Sequence, residues 1–265
     1  GGIDLAGEVL SSTAPQFKTG DLVIAHSFDV GVAHHGGYAE MARIPAAWVV
    51  PMPPGMSTFE AMALGTAGFT AALAIERMQH NGLQPNSGPV IINGATGGVG
   101  MIAIDIMAAL GYEVHAVTGK AKDAQLLKDI GAQQVIIRQD LQMSDKPLLA
   151  ETYAGAIDNL GGAMLGWFTR VMKVGGSIGA VGLAAGWELN TTVMPFILRG
   201  VNLLGIDSVN CPMPQRVALW NKLASEWKPT HLAPNTRTVE FDQLPQVFDD
   251  FINAQVTGRV VVSVA

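Results

Sequence analysis

The 265-residue chain has few of the residues on which several protein classes depend. It contains one cysteine, Cys211, which excludes an internal disulfide framework and a cysteine-rich zinc site. The net charge is −6, and no run of Lys or Arg suggests a nucleic-acid or anionic-membrane partner. No apolar run approaches the ~20 residues that span a bilayer, and no signal peptide is visible. The sequence therefore predicts a cytoplasmic protein without a nucleic-acid or membrane partner.

The residues that are abundant predict a globular α/β protein, since 49% are apolar and only 14% are charged. Buried strands and helices alternate through the middle of the chain, which is typical of a parallel, doubly wound sheet. The ends are rich in Gly, Pro and short strands, with a final helix and strand. We predict strands at 90–92, 113–117, 134–137, 156–159, 177–181 and 201–206, and a last strand at 259–264. The predicted helices are 59–64 and 69–78, with the Gly-rich stretch 65–68 between them, then 97–110, 123–130, a helix after 156–159 that runs through residue 173, and 244–255. The predicted domains are 1–60 together with 208–265, and 61–207 inserted between them.

A glycine-rich turn follows the first of these buried strands. Its spacing is Gly94-x-x-Gly97-x-x-Gly100, with a strand before it and a helix after it. Glycines at these positions permit a tight turn, close approach of a pyrophosphate and packing of the helix, whose N-terminus favours phosphate. A tight turn without any ligand is the alternative. The pattern predicts a dinucleotide site formed by Thr96, Gly97, Gly98, Val99 and Gly100.

The end of the next strand selects between the two nicotinamide cofactors. An NAD site places Asp or Glu here to hold the ribose 2′-hydroxyl, but the strand ends in Thr118-Gly119-Lys120, and Asp123 is the first acid. Lys120 suits a 2′-phosphate, and Arg138 after the third strand can flank it. Surface roles are the alternatives for both cations. We therefore predict that Thr118, Gly119, Lys120 and Arg138 bind NADPH.

Segments from end to end resemble the medium-chain dehydrogenase/reductase superfamily. The chain is similar to its zinc-free quinone-oxidoreductase branch, and within that branch to the acryloyl-CoA reductase group of YhdH/YhfP-type putative quinone oxidoreductases. The segments that carry the resemblance are Gly2-Ile3-Asp4-Leu5-Ala6-Gly7, His35-Gly36-Gly37-Tyr38-Ala39-Glu40, the Gly-rich stretch 65–71, Gly155-Ala156-Ile157-Asp158, 191–201, 205–209 and Gly258-Arg259. The resemblance implies a Rossmann domain inserted in a GroES-like, β-rich catalytic domain. It also implies NADPH, reduction of a 2-enoyl thioester and a homodimer.

The chain departs from this family at its start, where an N-terminal portion of the GroES-like domain is expected to precede Gly1. Zinc-dependent relatives carry Gly-His-Glu where this chain has Gly2-Ile3-Asp4, and Ile3 cannot bind a metal. We therefore predict no metal.

The remaining candidate residues have a functional and a structural interpretation each. The structural alternatives are helix capping and packing for Thr66 and Thr70, turn capping for Ser208 and an interdomain salt bridge for Arg259. The candidates for cofactor binding are Thr66, Thr70, Leu183, Ser208, Asn253 and Arg259. Asp4 is a candidate for an acid near the substrate, with stabilisation of its loop as the alternative. His35, in a loop expected over the active site, is a candidate for a catalytic role, with a structural role as the alternative.

The predicted function is NADPH-dependent, zinc-independent reduction of an activated C=C bond, with acryloyl-CoA converted to propanoyl-CoA. The alternatives are an NADPH:quinone oxidoreductase and a non-catalytic, crystallin-like NADPH-binding protein. Arg43, Arg199 and Arg216 are candidates for binding the phosphates of CoA. Residues 201–206 are the predicted sheet edge of a homodimer.

Overall fold

The computed structural model describes residues 1–264, which form two compact units. The first unit comprises residues 1–69 and 207 to the end of the described chain, and the second is Thr70–Ile206. The strands are β1 (Asp4–Glu8), β2 (Leu22–His26), β3 (Val49–Pro51), β4 (Val90–Ile92), β5 (Val114–Thr118), β6 (Gln134–Ile137), β7 (Tyr153–Asp158), β8 (Met172–Ala180), β9 (Asn202–Gly205), β10 (Thr236–Glu240) and β11 (Arg259–Ser263). The helices are α1 (Thr58–His80), α2 (Gly98–Ala109), α3 (Ala124–Asp129), α4 (Gly162–Val171), α5 (Met194–Arg199), α6 (Met213–Ala224) and α7 (Leu244–Ile252).

The second unit is built on a six-stranded parallel sheet with the order β6-β5-β4-β7-β8-β9. Numbered along the unit, this is the 3-2-1-4-5-6 order of a dinucleotide-binding fold. The order reverses between β4 and β7, where Ile92 lies beside Ile157. Ligands of such sheets bind outside the carboxyl ends of the strands at this reversal. The predicted Rossmann sheet is therefore confirmed.

The core of the second unit explains why its central strands are uniformly apolar. All three residues of β4 are fully buried, as a strand covered on both faces requires. Helix α2 is buried from Gly100 to Met107, so it packs as a core helix instead of an amphipathic surface helix. Trp167 and Met172 lie in the main hydrophobic cluster, and Phe196 packs against it.

The first unit combines an antiparallel sheet, β1-β2-β3, with a parallel pair, β10-β11. Asp4 at the start of β1 pairs with His26 at the end of β2. Arg259 begins β11 opposite Thr236. Asp4, His26 and Arg259 therefore all lie at the ends of strands in this unit.

Helix α1 contains a break that the sequence predicts at its Gly-rich stretch. Gly65 has φ +51 and ψ −156, which is non-helical, and the helix continues on both sides of it. α1 is also the one helix in residues 1–264 that is long and apolar enough to cross a membrane by length and composition. Its most apolar window is 67% buried inside the protein, as in a core helix.

Several boundaries differ from the predicted ones. The contact division falls at 69/70 and 206/207, and the domain roles assigned to the two units stay predictions. The helices α5 and α6 and the strand β10 are not among the predicted elements. Strand β9 is an edge strand as predicted, with Asn202 beside Ser177 of β8.

Candidate functional site

The glycine-rich turn leads from β4 into α2 with its N-terminal amide groups uncapped by any side chain. Gly97 is the N-cap residue and makes no side-chain cap hydrogen bond. Gly94 has φ +58, which only glycine adopts readily. A Cβ on Gly100 would lie 2.5 Å from the carbonyl oxygen of Gly94 and 2.8 Å from the Cα of Ala95. The turn and the helix can therefore pack together only without a side chain at Gly100, and the first turn of α2 remains available to an anion.

The predicted 2′-phosphate residues come together at the ends of β5 and β6. The backbone N–H of Lys120 donates to Oγ1 of the buried Thr118 over 3.0 Å. A Cβ on Gly119 would lie 3.3 Å from Nη2 of Arg138, so the guanidinium of this exposed residue lies against the backbone of Gly119. Burial lowers the pKa of Lys120, and nearby Asp123 raises it. Lys120 and Arg138 provide two cations, and the segment Thr118-Gly119-Lys120 contains no acid. This arrangement fits a phosphate better than a ribose hydroxyl.

The other predicted cofactor residues of the second unit have distinct environments. Thr96 is buried within the turn, and Val99 is half-buried in the first turn of α2. Leu183 follows β8 with an exposed side chain, and its carbonyl accepts a hydrogen bond from the N–H of Gly186 over 3.1 Å. Thr70 is buried in α1.

In the first unit, Asp4 binds the helix α1 at its break. Its Oδ1 accepts hydrogen bonds from the backbone N–H of Thr66 at 3.0 Å and from the hydroxyl of Thr66 at 2.5 Å. A Cβ on Gly65 would lie 2.5 Å from Asp4 Oδ2 and 3.0 Å from Arg259 Nη2, so the carboxylate and the guanidinium converge there. Arg259 Nε also donates to the carbonyl of Ala63 over 2.7 Å. Burial raises the pKa of Asp4, although the Thr66 hydrogen bonds and the charge of Arg259 oppose this shift.

Tyr38 joins this group, and sequence reasoning missed it as a functional candidate. Burial raises the pKa of Tyr38, Asp4 raises it further and Arg259 lowers it, so the three groups lie close enough to interact. Together with Arg43 they line a cavity of about 1240 Å³ within the first unit. The signal available in the sequence was the segment 35–40, which carries part of the family resemblance and contains this tyrosine.

The histidine pair adds little to this cavity. His34 lines it, and its Nδ1–H donates to the carbonyl of His35 over 2.9 Å. His35 is exposed and is not one of the lining residues. Its catalytic role stays a prediction.

A second polar group in the first unit is fully buried around His26. Trp220 Nε1–H donates to Nε2 of His26 over 2.9 Å, which leaves the ring proton on Nδ1, 2.9 Å from the hydroxyl of Ser27. Burial and the charge of Arg216 lower the pKa of His26 to about 3, so the ring is neutral. Thr66 Oγ1 lies 3.5 Å from Nδ1 and links this group to Asp4.

Arg216 is not a phosphate-binding residue, contrary to the suggestion from the sequence. It is fully buried, with its guanidinium between the rings of Phe28 and Phe69 at 4.8 and 4.9 Å. Its Nη2 donates to the carbonyls of Ser208, Val209 and Cys211 at 3.0, 3.1 and 3.3 Å. A side chain enclosed in this way cannot reach a ligand in solvent.

Arg199 is also committed to the protein's own backbone. It donates to the carbonyls of Leu149, Arg170 and Met172 at 2.5 to 3.1 Å. The sequence interpretation of Arg199 and Arg216 as CoA-binding residues is therefore wrong, whereas Arg43 is exposed at the cavity.

Two further predicted cofactor residues lie at element ends of the first unit. Ser208 is half-buried after β9, and its carbonyl accepts the Arg216 hydrogen bond. Asn253 caps α7, with its Nδ2 donating to the carbonyl of Asp249 over 2.9 Å, which matches the structural alternative for this residue. Their cofactor roles stay predictions.

Within residues 1–264, no three His, Cys, Asp or Glu side chains come close enough to hold a metal ion. The absence of a metal from the reaction stays a prediction.

Comparison with known proteins identifies the family. The family model described as zinc-binding dehydrogenase matches residues 98–224. Acrylyl-CoA reductase AcuI of Ruegeria pomeroyi is 47% identical over 264 residues, which are 99% of this chain and 80% of the relative. The chain belongs to the medium-chain dehydrogenase/reductase superfamily, in its branch of acrylyl-CoA reductases and YhfP-type quinone oxidoreductases.

Two further relatives extend the comparison to solved structures. The putative quinone oxidoreductase YhfP of Bacillus subtilis is 46% identical over 98% of this chain and 80% of its own length, and its structure with NAD bound superposes with a TM-score of 0.95. The yhdH oxidoreductase of Salmonella enterica in complex with NADP has a TM-score of 0.97 and 40% identity, over all of this chain and 81% of that one. The predicted family and fold are confirmed.

Proposed function

We propose that this chain is an NADPH-dependent, zinc-independent reductase of an activated carbon–carbon double bond, with acryloyl-CoA as the substrate. The observation that carries the proposal is 47% identity to an acrylyl-CoA reductase over 99% of the chain. The glycine-rich turn and the cation-bearing ends of β5 and β6 support NADPH as the cofactor.

The residues of the second unit provide the binding groups for this cofactor. The backbone of Gly97–Gly100 would hold the pyrophosphate, and Thr118, Gly119, Lys120 and Arg138 would hold the 2′-phosphate. When bound, NADPH supplies a hydride to the β-carbon of the substrate. The roles of Thr66, Thr70, Leu183, Ser208, Asn253 and Arg259 complete the proposed binding set.

The reaction also requires a proton at the α-carbon of the substrate. We assign this proton to Asp4, because this residue is one of those that line the cavity and its raised pKa lets it hold a proton at a higher pH than an ordinary carboxyl. Tyr38 beside it carries a second exchangeable proton. Arg43 at the same cavity is the remaining candidate for a CoA phosphate.

A homodimer in the cytoplasm is part of the proposal. Helix α5 and its N-cap residue, which precede edge strand β9 in the chain, expose Val193, Ile197 and Leu198, which are 66%, 72% and 59% accessible. Exposed apolar residues and the free edge of a sheet both favour association with a second copy. Sedimentation of the protein as a monomer would remove this part of the proposal.

The activity is tested by mixing the full chain with NADPH and acryloyl-CoA, and separately with a quinone, while following the absorbance of NADPH. Oxidation with acryloyl-CoA that exceeds oxidation with the quinone is expected. Oxidation with the quinone alone would favour the quinone oxidoreductase, which the name of the Bacillus relative suggests. Binding of NADPH with neither reaction would favour a non-catalytic protein.

The cofactor is tested by titrating NADPH and NADH into the R138A variant. We expect the Kd for NADPH to rise about tenfold, and that for NADH to change little, because only NADPH carries the 2′-phosphate. K128A, on the exposed face of α3, is the matched control. Equal weakening of both cofactors would contradict the assignment of Arg138.

A further inference from the structure

Side-chain hydrogen bonds join the carboxyl ends of β4 and β7, and the residues that form them are not among the predicted site residues. Asn93, directly after β4, donates from Nδ2 to Oδ1 of Asp158, the last residue of β7. Asn93 Oδ1 accepts from the backbone N–H of Asn159 over 2.6 Å, and the carbonyl of Asn93 accepts from Asn159 Nδ2 over 2.7 Å. Asn93 and Asp158 are both fully buried. These hydrogen bonds lie where the strand order of the sheet reverses.

Asp158 extends the connection to the loops that follow β7 and β8. Its Oδ2 accepts from the backbone N–H of Gly161 over 2.8 Å. Its carbonyl accepts from the N–H groups of Val181 and Gly182 at 2.8 and 3.1 Å, just before Leu183. One buried residue therefore holds the loop that begins after β7 and the loop that carries Leu183.

The loops are also too close together for side chains at their glycines. A Cβ on Gly182 would lie 2.5 Å from the carbonyl oxygen of Asn159, and a Cβ on Gly94 would lie 3.1 Å from the Cβ of Asn159. The three loops after β4, β7 and β8 are therefore packed against one another around Asn159. A shift of any one of them would displace the others.

The donor and acceptor roles in this hydrogen-bond network are fixed. Asn93 must direct its NH₂ group at Asp158, since its Oδ1 already accepts from Asn159. Asp158 must accept on both sides, from Asn93 and from Gly161. A buried network of this kind specifies one geometry when complete and costs stability when one member is wrong.

We infer that Asn93 and Asp158 are positioning residues for NADPH, which hold the carboxyl ends of β4 and β7 at the separation that the cofactor requires. The inference rests on the proposed function, because the glycine-rich turn follows Asn93 and the Leu183 loop is bound to Asp158. Neither side chain needs to touch the cofactor. Their effect would reach it through the backbone of the two loops.

Exchanging the two residues provides the test. In N93D, two carboxyl groups face each other, and in D158N a single amide oxygen must serve both Asn93 and Gly161. In the double variant N93D/D158N, the amide introduced at position 158 donates to position 93 and accepts from Gly161, while the carboxylate introduced at position 93 accepts from Asn159. All the hydrogen bonds of the original network are thus restored with the roles exchanged.

The readouts are the Kd for NADPH and, without cofactor, hydrogen exchange at the amides of Asn159 and Gly161. We expect each single variant to raise the Kd about tenfold and to speed exchange at both amides, because a buried hydrogen bond is lost. The double variant should return both readouts most of the way to those of the unaltered protein. N81D, which introduces the same substitution at the exposed end of α1, is the control and should change neither.

Unchanged NADPH binding by folded single variants would overturn the inference, as would a double variant no better than the single ones. If a single variant does not fold, recovery of folding and binding in the double variant still supports it. Failure of the unaltered protein to bind NADPH would overturn the proposed function and the inference with it. Normal binding by the unaltered protein and by N93D alike would overturn the inference alone.

Discussion

The buried ring of His26 should make the stability of the first unit depend on pH. Its pKa is lowered from 6.5 to about 3 by burial and by Arg216, so the folded protein holds the ring neutral. The unfolded chain takes up the proton below its ordinary pKa, while the folded chain does not. The stabilising contribution of His26 is therefore complete above 6.5 and is lost progressively as the pH falls toward 3.

The magnitude follows from the distance between the unfolded pKa and the working pH. About pH 5 is roughly 1.5 units below the pKa of the unfolded ring, so protonation stabilises the unfolded chain by about 2 kcal/mol at this pH. The folded ring takes up almost no proton and gains almost no free energy. Two charged or titratable groups lie near the ring. Arg216 contacts it directly, and Asp4 is connected to it through the hydroxyl of Thr66. Asp4 acts in the opposite direction, because a raised carboxyl pKa favours the protonated folded state.

The assay is urea unfolding of the unaltered protein and of H26Q between pH 7.5 and about pH 5. Gln keeps an oxygen that can accept from Trp220 but does not titrate, so H26Q should lose about 2 kcal/mol less over this interval. H80Q makes the same substitution at the exposed end of α1 and should behave as the unaltered protein does. Equal pH dependence in H26Q and the unaltered protein would refute the reasoning.

Two further substitutions test the packing on which the site depends. G100A should destabilise the second unit by about 1–3 kcal/mol and weaken NADPH binding, because the added Cβ overlaps the backbone of the turn, whereas G205A has open space and should be neutral in thermal unfolding and titration. R216M should lower the free energy of unfolding by about 3 kcal/mol or more, since it removes the donor for the carbonyls of Ser208, Val209 and Cys211, and R43M on the exposed cavity wall should not. An R216M variant as stable as R43M would contradict the account of Arg216.

Local sequence signals predicted the second unit well. Short apolar strands, each followed by a glycine or a helix, predicted the order β4, α2, β5, α3, β6 along the chain. Right-handed crossovers between successive strands then lead to the observed sheet. The break in α1 was also predictable, because Gly65 opens a stretch of small residues between two helical patterns. These features depend on neighbours within a few residues, which is the range over which a sequence pattern carries information.

The buried polar groups could not be predicted in the same way. Arg216 looks like an ordinary charged surface residue in the sequence, and its partner His26 is 190 residues away along the chain. Asn93 looks like an ordinary turn residue, and its partner Asp158 is 65 residues away. Burial of a polar residue is decided by whether distant partners satisfy it, and one sequence does not show those partners.

Of the two cations predicted to bind the 2′-phosphate, Arg138 is better placed than Lys120 to do so. Lys120 lies in the sequence position that suggests a 2′-phosphate, but Asp123 interacts with it and offsets part of its charge. Arg138 lies against Gly119, and its planar guanidinium can bind a phosphate through two parallel hydrogen bonds. A Bacillus relative has been solved with NAD bound, so the shared fold alone does not exclude the smaller cofactor. We therefore expect the preference of this chain for NADPH to depend on side chains at the ends of β5 and β6, with Arg138 contributing the larger part.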